Sequence, residues 1–252
     1  MLKTETLGSG PDLIFLHGLF GAGDNWKSIA RSLSEHYRIH LIDLPNHGRS
    51  GWTDDPSYPA IASIIEEWIE SQGIDSYLLL GHSMGGKVAM QMALNEHSSR
   101  IKKLIVVDIA PKFYPPHHQS IFKALNTLDL TQHNNRQAVE SELRPYVEDP
   151  GIRQFLLKSL YKKDGVLTWR FNYSVLESKY EEIAKAPTAS QPFTLPTLFI
   201  KGMNSQYITK EDQPEINRLF PNAQAKLIEG AGHWPHAEKP TAFQKIIETF
   251  LK

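Results

Sequence analysis

The chain is 252 residues long, 40% apolar and 22% charged, the composition of an ordinary globular protein of one or two domains. Its 27 basic and 28 acidic residues leave a formal charge of −1, which argues against a general nucleic-acid binder. The absence of cysteine excludes disulfide scaffolds, thiolate zinc sites, iron–sulfur clusters and cysteine nucleophiles.

The first five residues lack the apolar stretch of a signal peptide. Apolar runs such as 13–16 and 104–107 are four residues long, where a membrane span needs about 20. A cytoplasmic protein with no membrane span is the expectation. Residues 13–16 read as a first strand, ended by His17-Gly18, and 25–34 as a helix with Trp26, Ile29, Ala30 and Leu33 on one face. The next strand, 37–43, carries Ile39, Leu41 and Ile42 and stops before Pro45. A helix over 58–71 presents Ile61, Ile64, Ile65, Trp68 and Ile69. Strand 77–80 ends at Gly81, helix 84–95 carries Val88, Met92 and Ala93, and strand 104–107 ends at Asp108. After a long interval come strands 198–200 and 225–228, then a last helix over 241–251 with Phe243, Ile246, Ile247 and Phe250. Each strand reads as buried on both faces. Strands alternating with helices imply a parallel sheet covered on both sides.

From 112 to about 195 the rhythm changes. Helical periodicity appears over 121–130, 136–147, 152–160 and 171–184, with no strongly apolar strand. Such a length exceeds an ordinary connection. It is read as a helical cap over one end of the sheet, giving a core of 1–111 and 196–252 and an insertion of 112–195.

Gly81-His82-Ser83-Met84-Gly85 has the pattern G-x-S-x-G, set between strand 77–80 and helix 84–95. A serine there must turn sharply, with glycines on either side because a Cβ would collide. Its hydroxyl stands at the carboxyl end of the sheet, where the helix N-terminus favours negative charge. A Gly-rich helix cap with a surface serine is the competing reading.

Four motifs in order make the chain resemble an α/β-hydrolase. They are His17-Gly18-Leu19-Phe20-Gly21; the segment 43–50, Asp-Leu-Pro-Asn-His-Gly-Arg-Ser; 81–86, Gly-His-Ser-Met-Gly-Gly; and Gly230-Ala231-Gly232-His233-Trp234. More narrowly, HGLFG, NHGRS, GHSMGGK, VVDIAP and GAGHWPHAEKP are similar to the small bacterial esterases of the YbfF type. The resemblance implies an α/β-hydrolase fold: a mostly parallel sheet, helices on both faces, and a helical cap inserted after strand 6. It also implies the order serine, acid, histidine. That leaves His97, His117, His118, His133, His233 and His236 as bases. His97 ends the elbow helix, and 117, 118 and 133 lie in the insert. His233, on a Gly-rich loop after the last strand, is the favoured base. His236 is the alternative, or else caps the last helix.

The family's commonest place for the acid, after strand 198–200, holds Gly-Met-Asn-Ser-Gln over 202–206, with no carboxylate. Glu211 and Asp212 follow, on the next helix. Asp108, at the end of the strand beside the nucleophile's own, is the nearest alternative and could reach Nδ1 of His233. Otherwise it only orders the loop before Pro111. Asn204 and Ser205 are possible hydrogen-bonding supports. The resemblance assigns the oxyanion donors to the N–H groups of Met84 and Leu19, with Phe20 the alternative to Leu19.

Other features have plainer readings. His82 shapes the turn. Adjacent His117 and His118 do not make a metal site, so neither metal nor cofactor is expected. Asp54-Asp55 and Lys162-Lys163 are solvated charge. Phe113, Tyr114, Phe122, Trp169, Phe171 and Tyr173 divide between a pocket and the insert's own core. Phe20, Phe113, Trp169 and Trp234 are the expected substrate contacts. The implied function is a serine esterase acting through an acyl-enzyme on a small-molecule acyl ester. The alternatives are an acyl thioesterase, another hydrolase or lyase of this fold, and an inactive small-molecule sensor. Ser83 argues against epoxide hydrolases and dehalogenases, which use a carboxylate nucleophile. A monomer or weak homo-oligomer is expected, with no nucleic-acid partner.

Overall fold

The structure, a computed structural model, describes residues 1–95 and 98–252; His97 lies outside the described residues. The chain opens with β1 (Lys3–Leu7), β2 (Asp12–Leu16), α1 (Lys27–Leu33) and β3 (Arg38–Asp43). It continues with α2 (Tyr58–Ser71), β4 (Tyr77–His82), α3 (Met84–Leu94) and β5 (Ile101–Val107). The insert then contributes α4 (Gln119–Thr127), α5 (Arg136–Leu143), α6 (Pro150–Lys158), β6 (Leu160–Lys163), β7 (Val166–Trp169), α7 (Tyr173–Ser178) and α8 (Tyr180–Ala184). The chain returns through β8 (Thr197–Gly202), α9 (Gln213–Leu219), β9 (Ala223–Ile228), α10 (Pro235–Glu238) and α11 (Pro240–Leu251).

Among the described residues seven strands form one sheet, in the order β1-β3-β2-β4-β5-β8-β9. Only the β1–β3 pairing is antiparallel. Side chains alternate across the sheet, so the continuous apolar runs divide between two layers. Leu13, Phe15, Ile39, Leu41, Leu80 and Ile105 face α1 and α11, packing on Trp26, Leu33, Phe243 and Ile247. Ile14, Leu16, Ile42, Leu79, Leu104 and Val106 face α2 and α3 on the other side.

Several elements differ from expectation for identifiable reasons. The insert leaves the sheet after the fifth strand in chain order, not after a sixth. β1 went unread because Lys-Thr-Glu-Thr-Leu is polar, and it forms the edge strand paired to β3. β9 is the opposite edge and exposes 224–227, so it is not buried on both faces. The predicted helix 25–34 begins as a 3₁₀ turn, Gly23–Trp26, before α1. The predicted helix 171–184 divides at Lys179 into α7 and α8. The insert is not wholly helical either: β6 and β7 pair as a hairpin, turning at Asp164-Gly165 with positive φ at both residues.

The insert is tied to the core at the C-terminal end of α8. Tyr58 Oη donates to the Ile183 carbonyl, and buried Lys87 Nζ donates to the carbonyls of Ala184 (3.0 Å) and Lys185 (2.6 Å). Burial pushes the Lys87 amine down to about 7. Among the described residues no helix is long and apolar enough to cross a membrane.

Candidate functional site

Ser83 sits between β4 and α3 with φ 52° and ψ −121°. Glycine is required around it. A Cβ on Gly81 would lie 2.2 Å from the Gly85 carbonyl oxygen, and one on Gly85 would lie 2.4 Å from that of His17. The Ser83 amide is held by the Val107 carbonyl at 3.0 Å. Phe20 (φ 63°) and Asp108 (φ 51°) are also left-handed, so three of the five such non-glycine residues among those described converge here. Each such conformation costs about 1–3 kcal/mol and persists only where its surroundings impose it.

The loop between β9 and α10 brings His233 to this point. Ser83 Oγ donates to His233 Nε2 at 3.0 Å, and His233 Nδ1 donates to Asp108 Oδ2 at 2.8 Å. Asp108 is fully buried. Its carboxylate also accepts the Gly202 amide, at 3.1 Å, and the Ser205 hydroxyl. Its own amide donates to the Ile200 carbonyl at 2.8 Å. Thus β8 and the turn after it hold Asp108 at the end of β5 by both its amide and its carboxylate. Asn204 takes part only through its main chain, donating to the Ala231 carbonyl at 2.9 Å. Glu211 and Asp212 lie in a 3₁₀ turn, Lys210–Asp212, rather than a continuous helix; Asp212 pairs with Lys112 at 2.8 Å.

The neighbouring imidazoles have other roles. His82 Nε2 donates to the His233 carbonyl at 2.8 Å, so the residue before Ser83 also fastens the loop that carries His233. His17 Nδ1 donates to the Gly18 carbonyl while its Nε2 accepts the Leu44 amide at 2.9 Å, fixing the turn into Leu19. The His236 ring packs against Trp26, 4.3 Å away and tilted by 32°, and it is His233 that bonds to the serine. His117 and His118 engage separate tyrosines, Tyr207 and Tyr180. Burial pushes His17 down to about 4, His118 and His236 to about 3, and His82 well below the usual imidazole value. These rings therefore stay neutral at pH 7 and add no positive charge beside His233.

Tyr207 was not foreseen. Its ring lies parallel to that of His233, 3.8 Å away at 16°, and its hydroxyl donates to His117 Nε2 at 2.6 Å. No motif marks it; only the path of the loop after β8 places it there.

Over Ser83 opens a cavity of about 540 Å³ between sheet and insert, within the range of small-molecule sites. Leu19, Phe20 and Trp234 line it from the core, and Ile121, Phe155 and Leu156 from the insert. The main-chain amides of Leu19 and Met84 have no backbone acceptor among the described residues. Two expected pocket residues are elsewhere. Phe113 is 54% exposed, because it lies on the surface before α4. Trp169 is buried against Phe171 at 5.3 Å, in the insert's own core.

Comparison with known proteins agrees with this architecture. The model of the α/β hydrolase fold family matches residues 11–240. Esterase YbfF of Escherichia coli (strain K12) is 38% identical, over 95% of this chain and 92% of its own length. The sn-1-specific diacylglycerol lipase ABHD11 of Mus musculus is 36% identical, over 96% of this chain and 81% of its own. A solved structure described as a marine microorganism esterase superposes with a TM-score of 0.96 at 41% identity, covering 99% of this chain and 98% of that one. With its glycine-flanked serine at the carboxyl end of a mostly parallel sheet, the chain belongs to the α/β hydrolase fold family.

Proposed function

We propose that the protein is a serine esterase acting on carboxylic esters with an apolar acyl group. The observation that carries this is the unbroken line from Ser83 Oγ through His233 to Asp108, at 3.0 and 2.8 Å. In this reading His233 takes the proton of Ser83 as the hydroxyl attacks the ester carbonyl. Asp108 holds the imidazole in the Nδ1–H tautomer and stabilises the imidazolium. The amides of Leu19 and Met84 receive the oxyanion, and His233 returns the proton to the leaving alcohol. Water then releases the acyl group from Ser83 by the same steps in reverse.

The surroundings support this assignment of roles. The buried imidazoles near His233 remain uncharged, so the charge that forms on it meets no neighbouring histidine cation. Tyr207 offers a ring face to that imidazolium. The apolar walls from Ile121, Phe155 and Leu156 suit an acyl chain. The names of the relatives, an esterase and a diacylglycerol lipase, are consistent with ester chemistry.

The test is Ser83→Ala against a short-chain p-nitrophenyl ester. Turnover should fall at least about a thousandfold with the thermal unfolding midpoint preserved. A fluorophosphonate probe should label the native chain and not the variant. Retained turnover or labelling in Ser83→Ala overturns the assignment.

A further inference from the structure

Behind the loop that carries Leu19 lies a second cleft, of about 460 Å³, where core and insert meet. Ala22, Asn25, Ser28 and Arg49 line its core side; Arg136, Lys158, Ser159 and Arg170 line its insert side. Ser159 Oγ donates to the Phe20 carbonyl at 2.7 Å, which fastens the cleft wall to the turn beside Ser83. The β6–β7 hairpin builds this wall, since Arg170 leaves β7 and its amide donates to the Ser159 carbonyl at 2.9 Å.

Arg49, Arg136, Lys158 and Arg170 bring four positive charges to the cleft against two carboxylates, Asp24 and Asp43, so its lining carries a positive excess. Asp43 accepts the amides of Gly23 (2.7 Å) and Arg49 (2.8 Å) and keeps its charge, whereas Asp24 is paired with Lys27 at 2.9 Å. None of the four cations enters an ion pair among the described residues. The chain as a whole carries −1, so the cluster does not reflect a general basic excess. Two of the guanidinium groups are held by contacts that leave their charge free. Arg136 Nη2 donates to the Leu160 carbonyl at 2.9 Å, and Arg170 lies 4.1 Å over the Tyr161 ring. Like charges gathered around one space repel one another, an anion between them relieves that repulsion, and guanidinium pairs match phosphate oxygens.

We propose that this cleft binds a phosphate group, either as the free ion or carried on a substrate whose ester lies at Ser83. The binding itself does not depend on the esterase reading; only the substrate-borne form does. The experiment is calorimetric titration of the full chain with inorganic phosphate at low ionic strength. Saturable binding is expected, weakened at least tenfold in Arg136→Gln/Arg170→Gln and by added salt. Absence of saturable binding, or equal binding in the variant, overturns the proposal. Should the double variant unfold, Lys158→Gln and Arg49→Gln, from different walls, test it separately with the same two outcomes. The source is settled by comparing an ester whose alcohol carries a phosphate with its uncharged counterpart. At least tenfold preference for the phosphorylated ester, lost in the variants, shows a substrate-borne group; phosphate binding without preference shows the free ion. If instead neither ester is hydrolysed, the reading of Ser83 fails while the phosphate titration still stands or falls by itself.

Discussion

The carboxyl ends of β4, β5 and β8 and the insert above them face the same cavity, yet they are built by different means. Ser83 and Asp108 are set by left-handed backbone, and each donates its amide to a neighbouring strand's carbonyl, at 3.0 and 2.8 Å. The insert meets the cavity with Ile121, Phe155 and Leu156, and is joined to the core by side-chain bonds such as those of Tyr58 and Lys87. Main-chain geometry tolerates almost no substitution without losing position. Apolar walls of about the right volume tolerate many. In the proposed reading the sheet ends fix the reaction, and the insert fixes what fits.

The largest expected effect lies on the core side. Asp108→Asn keeps the shape but favours the wrong imidazole tautomer, and kcat should fall about 10³- to 10⁴-fold with the cavity unchanged. Steady-state kinetics on a p-nitrophenyl ester check it; a loss confined to KM would break the division between the regions. Next comes acid sensitivity. His17, His47, His82 and His236 are buried at the sheet ends, and burial depresses all four, His47 to about 3. Below about pH 6.5 the unfolded chain binds protons that the folded chain refuses, so stability is full above that pH and falls as pH drops toward 4. A loss of about 2 kcal/mol for each ring between pH 7 and 5, on the order of 7 kcal/mol for the four, is expected from urea midpoints. A flat profile would show that these rings are not buried neutral.

How much of this was legible follows the same division. β2, β4 and β5 announce themselves because strands buried on both faces are continuous apolar runs, and Ser83 and His233 stand in glycine-rich motifs after strands. Asp108 was reachable because 202–206 holds no carboxylate, which left the adjacent strand end. β1 was hidden by its polar residues at an edge. The hairpin was hidden because Leu160, Leu167 and Trp169 continue the apolar content of α6; Asp164-Gly165 was the available signal. Tyr207 had none, since its stacking on His233 depends on where a loop runs rather than on any local pattern.

That unforeseen contact gives a smaller test. Tyr207→Leu removes the ring face and the bond to His117, and should lower kcat about tenfold with little change in KM. Tyr207→Phe keeps the face and should recover most of the rate. Equal losses would assign the effect to the hydroxyl instead.

The finest test lies wholly within the insert. Phe155 lines the cavity and packs on Trp234 with ring centres 5.7 Å apart, whereas Phe113 is on the surface outside it. Phe155→Ala enlarges the space, so kcat/KM should shift a few-fold toward longer acyl chains across a series of p-nitrophenyl esters, with kcat for the shortest ester nearly unchanged. Phe113→Ala should leave the series as it was and stability within about 0.5 kcal/mol. If both variants moved the series alike, the insert would be acting through its overall placement on the core rather than through the residues that touch the acyl chain, because only one of the two phenylalanines borders that space.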